Sequence, residues 1–309
     1  MSQIEDQIAE LNRCYRRQNP DTSNMRPIFE NVASDPMIEF ELIDVVRVET
    51  AAEFKPEFTF VGSGMPDHVK QTANGGSDAF DANYFMNIWV CRIQPLNLLG
   101  QESPVLGYAY PPVGLMNWPD GSAAPSMELD GVVVDFRTFG KGLSYEIPEI
   151  GSLPMEGRTA VHEVGHYLNL YHTFNGGSQA SCPSNFNCLI NGDRVCDTPP
   201  QKKQFNYCDA FVNTPIPNSC SNDSDDSAMR NPYRSISNGG LGDYEDAVFN
   251  YMSYDFCRNY FTIGQRARMR DALLYFRSSL ISSDACAPWN VALDAGINEV
   301  IAPNGLACS

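Results

Sequence analysis

Ile4, Ile8, Leu11 and Tyr15 recur three and four residues apart behind a capping box of Ser2 and Glu5. This spacing predicts a helix over residues 2 to 17 with that face on the core. Ile38, Phe40 and Leu42 then alternate with Glu39, Glu41 and Ile43, the pattern of a strand with one face more buried than the other. Further strands are expected at Tyr84 to Ile93, Val105 to Tyr110 and Gly131 to Phe136, each bounded by Gly, Pro or Asn. Pro111 and Pro112 directly follow the second of these, and proline cannot donate to a ladder, so Gly107, Tyr108, Ala109 and Tyr110 are expected at a sheet edge. A second helix should begin near Arg158 and turn Val161, Val164 and Leu168 inward. From Phe174 to about Phe249, Gly, Asn, Ser, Asp, Pro and Cys dominate and predict irregular structure. A last helix starts at Thr262, whose capping box Gln265 completes, and presents Met269, Leu273 and Phe276 inward. Beyond Ser283 the pattern fades.

The cysteines change this picture. The chain has 309 residues and ten cysteines, and Cys182, Cys188, Cys196, Cys208, Cys220 and Cys257 crowd into the loop-rich second half. That density points to disulfides and an oxidising compartment. A structural zinc cluster is the alternative, but no C-x-x-C occurs. The opening MSQIEDQIAELNRCYRRQ is amphipathic and is not a secretion signal. We therefore expect a secreted protein whose signal and inhibitory segment lie outside this sequence, with Met1 an added start. The net charge of -17 would repel nucleic acid and anionic membranes alike, and no apolar run reaches the ~18 residues that span a bilayer. A monomer is expected.

The chemistry is concentrated in His162-Glu-Val-Gly-His166-Tyr-Leu-Asn-Leu-Tyr-His172. Two histidines four apart on a helix lie one turn above the other, so both imidazoles can reach one tetrahedral zinc. Glu163 sits beside the first of them, within reach of water at the metal. A continuing helix would carry His172 away, so the chain must turn sharply after Leu168, and Asn169 tolerates the left-handed geometry this needs. Three of the four histidines fall in these eleven residues. His68, in a polar stretch, reads as an ordinary surface residue.

The long zinc motif and the downstream NYMSY resemble the pappalysin family of the metzincin clan. The likeness runs from QIAELNRCY through NIWVC, LGYAYPP, LDGVVVDFRTFG and TAVHEVGHYLNLYHTFNGG to DRVCDTPPQ, FNYMSYDFC and FTIGQRARM. It implies catalytic zinc on His162, His166 and His172, Glu163 as general base, Met252 in a hydrophobic Met-turn beneath the metal, and Tyr254 holding substrate or transition state. Most members have glycine where this chain has Asn169. The resemblance also implies structural calcium near Asp193 and Asp197, for which a turn-forming role is the alternative, and a Cys208 to Cys257 disulfide. Cys14 is expected to be core or disulfide.

The expected architecture is α/β, a metzincin-type catalytic domain over residues 1 to 284. A twisted mixed sheet with backing helices forms an upper subdomain over about 1 to 172, above the cleft. An irregular disulfide-bonded subdomain over about 173 to 284 lies below, and residues 285 to 309 are a tail or the start of a following module. The expected activity is zinc-dependent hydrolysis of peptide bonds. A binding or adhesion unit that has lost catalysis is the rival, and the intact Glu163 and ligand set oppose it. A closed structural zinc site would need a fourth protein ligand.

Overall fold

Ser2 and Glu5 start the first helix as the capping box requires: the Ser2 amide donates to Glu5 Oε2 at 2.7 Å and the Glu5 amide to Ser2 Oγ at 3.3 Å. The computed structural model describes residues 2–59, 62–98, 100–147, 151–204, 217–220, 226–282 and 296–300. They form two compact units, one of Met1–Tyr15, Met37–Leu168 and Asp271–Ser309, the other of Arg16–Pro36 and Asn169–Arg270.

In the first unit, helix α1 (Gln3–Tyr15) buries Leu11 and Tyr15 as its spacing predicts. Ile4 and Ile8 do not join them, which corrects the expected face. Gln7 and Glu10 take the inward positions, both fully buried. The reason is polar pairing that the apolar spacing does not reveal. Gln7 Nε2 donates to the Gly157 carbonyl at 3.0 Å and its Oε1 accepts the Gly140 amide at 2.6 Å. Glu10 meets Arg158 at 2.9 Å, Lys141 at 2.8 Å and Arg13 at 2.6 Å. Burial opposes the Glu10 charge, yet Arg158 and these other cations outweigh it and hold its pKa below the usual carboxylate range. Cys14 is buried, with its thiol against Glu10 at 3.3 Å.

Strand β1 (Ile38–Glu41) turns Ile38 and Phe40 inward, as alternation requires. A three-stranded mixed sheet follows, with β2 (Ile88–Cys91) and β3 (Gly107–Ala109) flanking β4 (Val132–Asp135). β2 runs parallel to β4, and β3 antiparallel. β2 is shorter than the run from Tyr84 predicts, because the Asn87 side chain exchanges hydrogen bonds with the Phe80 backbone, both at 2.9 Å, and closes a loop there. Register places Trp89, Val133 and Tyr108 abreast, and with Phe54, Val69 and Ile93 they form one apolar cluster. A hairpin of β5 (Lys141–Ile147) and β6 (Gly151–Glu156) leads to helix α2 (Arg158–Tyr167). β7 (Gly296–Val300) pairs with β1.

The second unit is mostly irregular and is stapled by disulfides Cys182–Cys220 and Cys188–Cys196. Its core gathers Met25, Phe29, Ala33, Ala247, Val248, Phe249 and Tyr260. A two-residue ladder pairs Ala33 with Thr262 and Ser34 with Phe261.

Helix α3 (Ile263–Tyr275) begins at the predicted capping box, with the Thr262 amide on Gln265 Oε1 at 2.9 Å and the Gln265 amide on Thr262 Oγ1 at 3.1 Å. Met269 and Leu273 are fully buried, whereas Phe276 is 44% exposed, against expectation. Beyond the helix end, Arg277 turns inward instead. It pairs with Asp130 and lies 3.5 Å over the Tyr167 ring. Among the described residues no helix is long and apolar enough to cross a membrane.

Candidate metal centre

Helix α2 is seated before it reaches its functional residues. Gly157 supplies a left-handed φ of 72° at its N-cap, and Tyr15 Oη donates to the Val161 carbonyl at 3.0 Å. Val161, Val164 and Leu168 are fully buried, which anchors the apolar face the sequence predicts and leaves His162 and His166 in line, one turn apart. At the helix end, Arg277 Nε donates to the Tyr167 carbonyl at 3.1 Å, satisfying one of the acceptors a helix terminus leaves open.

The required turn falls on Asn169, with φ of 75°. Arg268 holds it, and the chain then delivers His172. Ligand atoms of His162, His166 and His172 lie within 4.8 Å of one another, and Nε2 of His162 and His166 are 3.1 Å apart. Two tetrahedral zinc–nitrogen bonds of ~2.0 to 2.1 Å set their nitrogens roughly 3.3 Å apart, so this donor set fits zinc. No other such cluster of His, Cys, Asp and Glu occurs among the described residues. Glu163, buried at 7% exposure, follows the first ligand on the same helix.

In the second unit the segment around Met252, where a Met-turn is expected, is built from polar pairs around a buried methionine. Met252 is fully buried; its amide donates to Asn250 Oδ1 at 2.9 Å, and its carbonyl accepts the Thr173 amide at 3.2 Å. Asn250 also exchanges two amide bonds with Gln265, at 2.8 and 2.9 Å, so the capping residue of α3 also braces the backbone around Met252. Tyr254 is 42% exposed and meets the His172 ring edge-on at 4.7 Å. Phe174 stacks on His172 at 4.8 Å and touches Tyr254 at 5.1 Å. In the first unit Trp118 lies edge-on to His166 at 6.4 Å. The sequence reading passes over Phe174 and Trp118. Phe174, two residues after a ligand, carries a positional signal; Trp118, far off in a loop, carries none.

Gly107, Tyr108 and Ala109 lie on the edge strand β3, with Tyr110 directly after it. Tyr108 and Tyr110 donate their hydroxyls to the two oxygens of Asp67, at 3.0 and 2.5 Å. The buried Lys70 reaches Asp67 at 2.8 Å and the Leu129 carbonyl at 2.7 Å, and lies 4.4 to 5.4 Å over the rings of Trp89, Tyr108 and Tyr110.

Asp193 and Asp197 form a separate group. Asp193 accepts from the Val195 amide at 3.1 Å and Thr198 Oγ1 at 2.7 Å. Asp197 accepts from Thr262 Oγ1 at 2.6 Å and the Gly264 amide at 2.8 Å, at the start of α3. Cys257 is disulfide-bonded; its expected partner Cys208 lies outside the described residues.

The family profile described as Pregnancy-associated plasma protein-A matches residues 154–274. The extracellular metalloprotease of Colletotrichum graminicola is 35% identical over 181 residues, which cover 57% of this chain and 48% of that protein. Extracellular metalloprotease 1 of Coccidioides posadasii is 33% identical over 176 residues, 56% of this chain and 46% of that one. The chain thus spans about half the length of these relatives. The solved structure of mature mirolysin from Tannerella forsythia in complex with a cleaved peptide is similar at a TM-score of 0.61 and 31% identity, covering 90% of this chain and 88% of that one. The matched zinc-helix region and a structural likeness that covers 90% of this chain at 31% identity have one reading: the chain belongs to the pappalysin family of metzincin metalloproteases.

Proposed function

We propose that this chain is a secreted zinc endopeptidase that hydrolyses peptide bonds in protein substrates, with Glu163 as general acid and base. The observation that carries the proposal is the convergence of three imidazoles, two of them on the helix that also carries the buried carboxylate of Glu163. When bound, zinc supplies Lewis acidity that acidifies water and polarises a carbonyl. His162, His166 and His172 would hold it as neutral ligands. Glu163 takes the proton of the attacking water and returns one to the leaving amine. Tyr254, partly exposed beside His172, donates its hydroxyl to the developing oxyanion in this proposal. An extended substrate would add to the outer edge of β3, pairing with Gly107 to Tyr110 through main-chain bonds.

The disulfides and the extracellular relatives support secretion. A monomer is part of this proposal. For Asp193 and Asp197 two roles are proposed side by side, structural calcium, as the family resemblance implies, and a turn, which the protein donors to their oxygens support. The test is digestion of a denatured protein by purified, zinc-loaded chain. Cleavage that a chelator abolishes and zinc restores is expected; no cleavage of any unfolded protein or peptide library would favour a binding unit instead.

A further inference from the structure

Alternation along β3 puts its large and small residues on opposite faces. Tyr108 points with Val133 and Trp89 into the apolar cluster, where Asp67 and Lys70 clamp it. Gly107 and Ala109 therefore point the other way, toward α2. At Gly107 the approach is so close that no side chain fits. A Cβ built there would stand 2.7 Å from Glu163 Cγ, 3.0 Å from Glu163 Oε1 and 2.9 Å from the Val133 carbonyl oxygen. Gly107 lies in an ordinary strand, not in left-handed backbone, so what it contributes is space and not conformational freedom.

We infer that Gly107 is a positioning residue for Glu163: the missing side chain on the edge strand is the seat that holds the carboxylate beside the zinc ligands. The inference rests on the proposed role of Glu163 as base. The strand cannot easily recede from an added methyl group. Its ladder to β4 and the hydroxyls of Tyr108 and Tyr110 on Asp67 fix it from behind. The Glu163 side chain turns about its own bonds more cheaply than a hydrogen-bonded ladder shifts, so the carboxylate moves. A displacement of about 1 Å from productive geometry costs on the order of 10²-fold in rate. The same closeness brings the glutamate alongside the main chain to which the substrate would pair.

The test is Gly107→Ala, alone and combined with Glu163→Ala. Alone, it should keep stoichiometric zinc and a KM within about threefold of the parent, while kcat falls roughly 10²-fold. A second readout needs no activity. Gly107→Ala should lower the melting temperature of the parent, and at least half of that drop should vanish in the Glu163→Ala background, where Cγ and Oε1 are gone and only the Val133 carbonyl still meets the methyl group. An equal drop in both backgrounds, or an unchanged kcat, would overturn the inference. If Gly107→Ala alone does not fold, recovery of folding in the double variant supports the seat and failure in both overturns it. Should the zinc-loaded parent cleave nothing, the proposed function falls, and the melting comparison alone decides whether Gly107 seats Glu163.

Discussion

Arg268 donates from Nε to the carbonyl of Asn169 at 2.5 Å and from Nη2 to its side-chain oxygen at 3.0 Å, fastening α3 to the turn that redirects the zinc motif. Where most family members have glycine, this chain combines a left-handed asparagine with an arginine that grips it. Asn169→Gly should therefore be nearly neutral. Relief of left-handed strain, roughly 1 to 2 kcal/mol, offsets a lost side-chain bond worth about 1 kcal/mol. Asn169→Val, β-branched at the same φ, should destabilise and weaken zinc binding together. Urea unfolding and competition with a chromophoric chelator measure both; a valine variant that binds zinc normally would show that the turn does not set the site.

Gln7 closes two main-chain groups from inside α1, the Gly140 amide and the Gly157 carbonyl at the start of α2. Gln7→Leu is close in volume and apolar, yet it leaves both unsatisfied. At roughly 1 to 3 kcal/mol for each buried orphan, the variant should lose about 2 to 6 kcal/mol in chemical denaturation. A stability gain would mean that the apolar reading of this helix face was right after all.

Those residues also mark how far the sequence could be read. Capping boxes, the edge strand, the zinc helix and the turn at Asn169 follow from local chemistry, where spacing and residue type settle the outcome. The inward faces of Gln7, Glu10 and Arg277 do not, because their burial depends on partners 110 or more residues away along the chain. Apolar periodicity cannot see such pairs. Gly107 is a similar case, since nothing along β3 tells that its missing side chain faces Glu163.

Lys70 should matter for substrate binding without touching substrate. Lys70→Met keeps most of the stem but strips the ammonium from Asp67 and the Leu129 carbonyl. A stability loss of roughly 1 to 3 kcal/mol is expected, with a raised KM as β3 loosens. Asp67→Asn in the same chain should recover part of the stability. Unchanged KM in Lys70→Met would separate the clamp from the substrate edge.

Asp193 gives a pH signature. Burial pushes its carboxyl up to about 7, against hydrogen bonds from Thr198 and Val195 that favour the charge. Because the folded pKa lies above the unfolded one, the contribution is full below about pH 4 and is lost as pH rises to about 7. In EGTA, Asp193→Asn should remove this downward trend, so the melting-temperature difference from the parent shifts in favour of the variant between pH 5 and 8. A difference that is flat with pH contradicts the raised pKa, and a parent trend that calcium abolishes would assign calcium to Asp193 and Asp197.

The central claim is that Glu163 moves the proton while the three imidazoles hold the metal. The direct measurement is zinc content beside the rate on a denatured protein, for the parent, Glu163→Ala and His166→Ala. Glu163→Ala should keep stoichiometric zinc and its fold and lose ~10²- to 10⁴-fold in rate, the usual reach of general acid–base catalysis. His166→Ala should lose zinc and activity together, because two imidazoles bind the metal far less well than three. Parent-like cleavage by zinc-loaded Glu163→Ala would contradict the account.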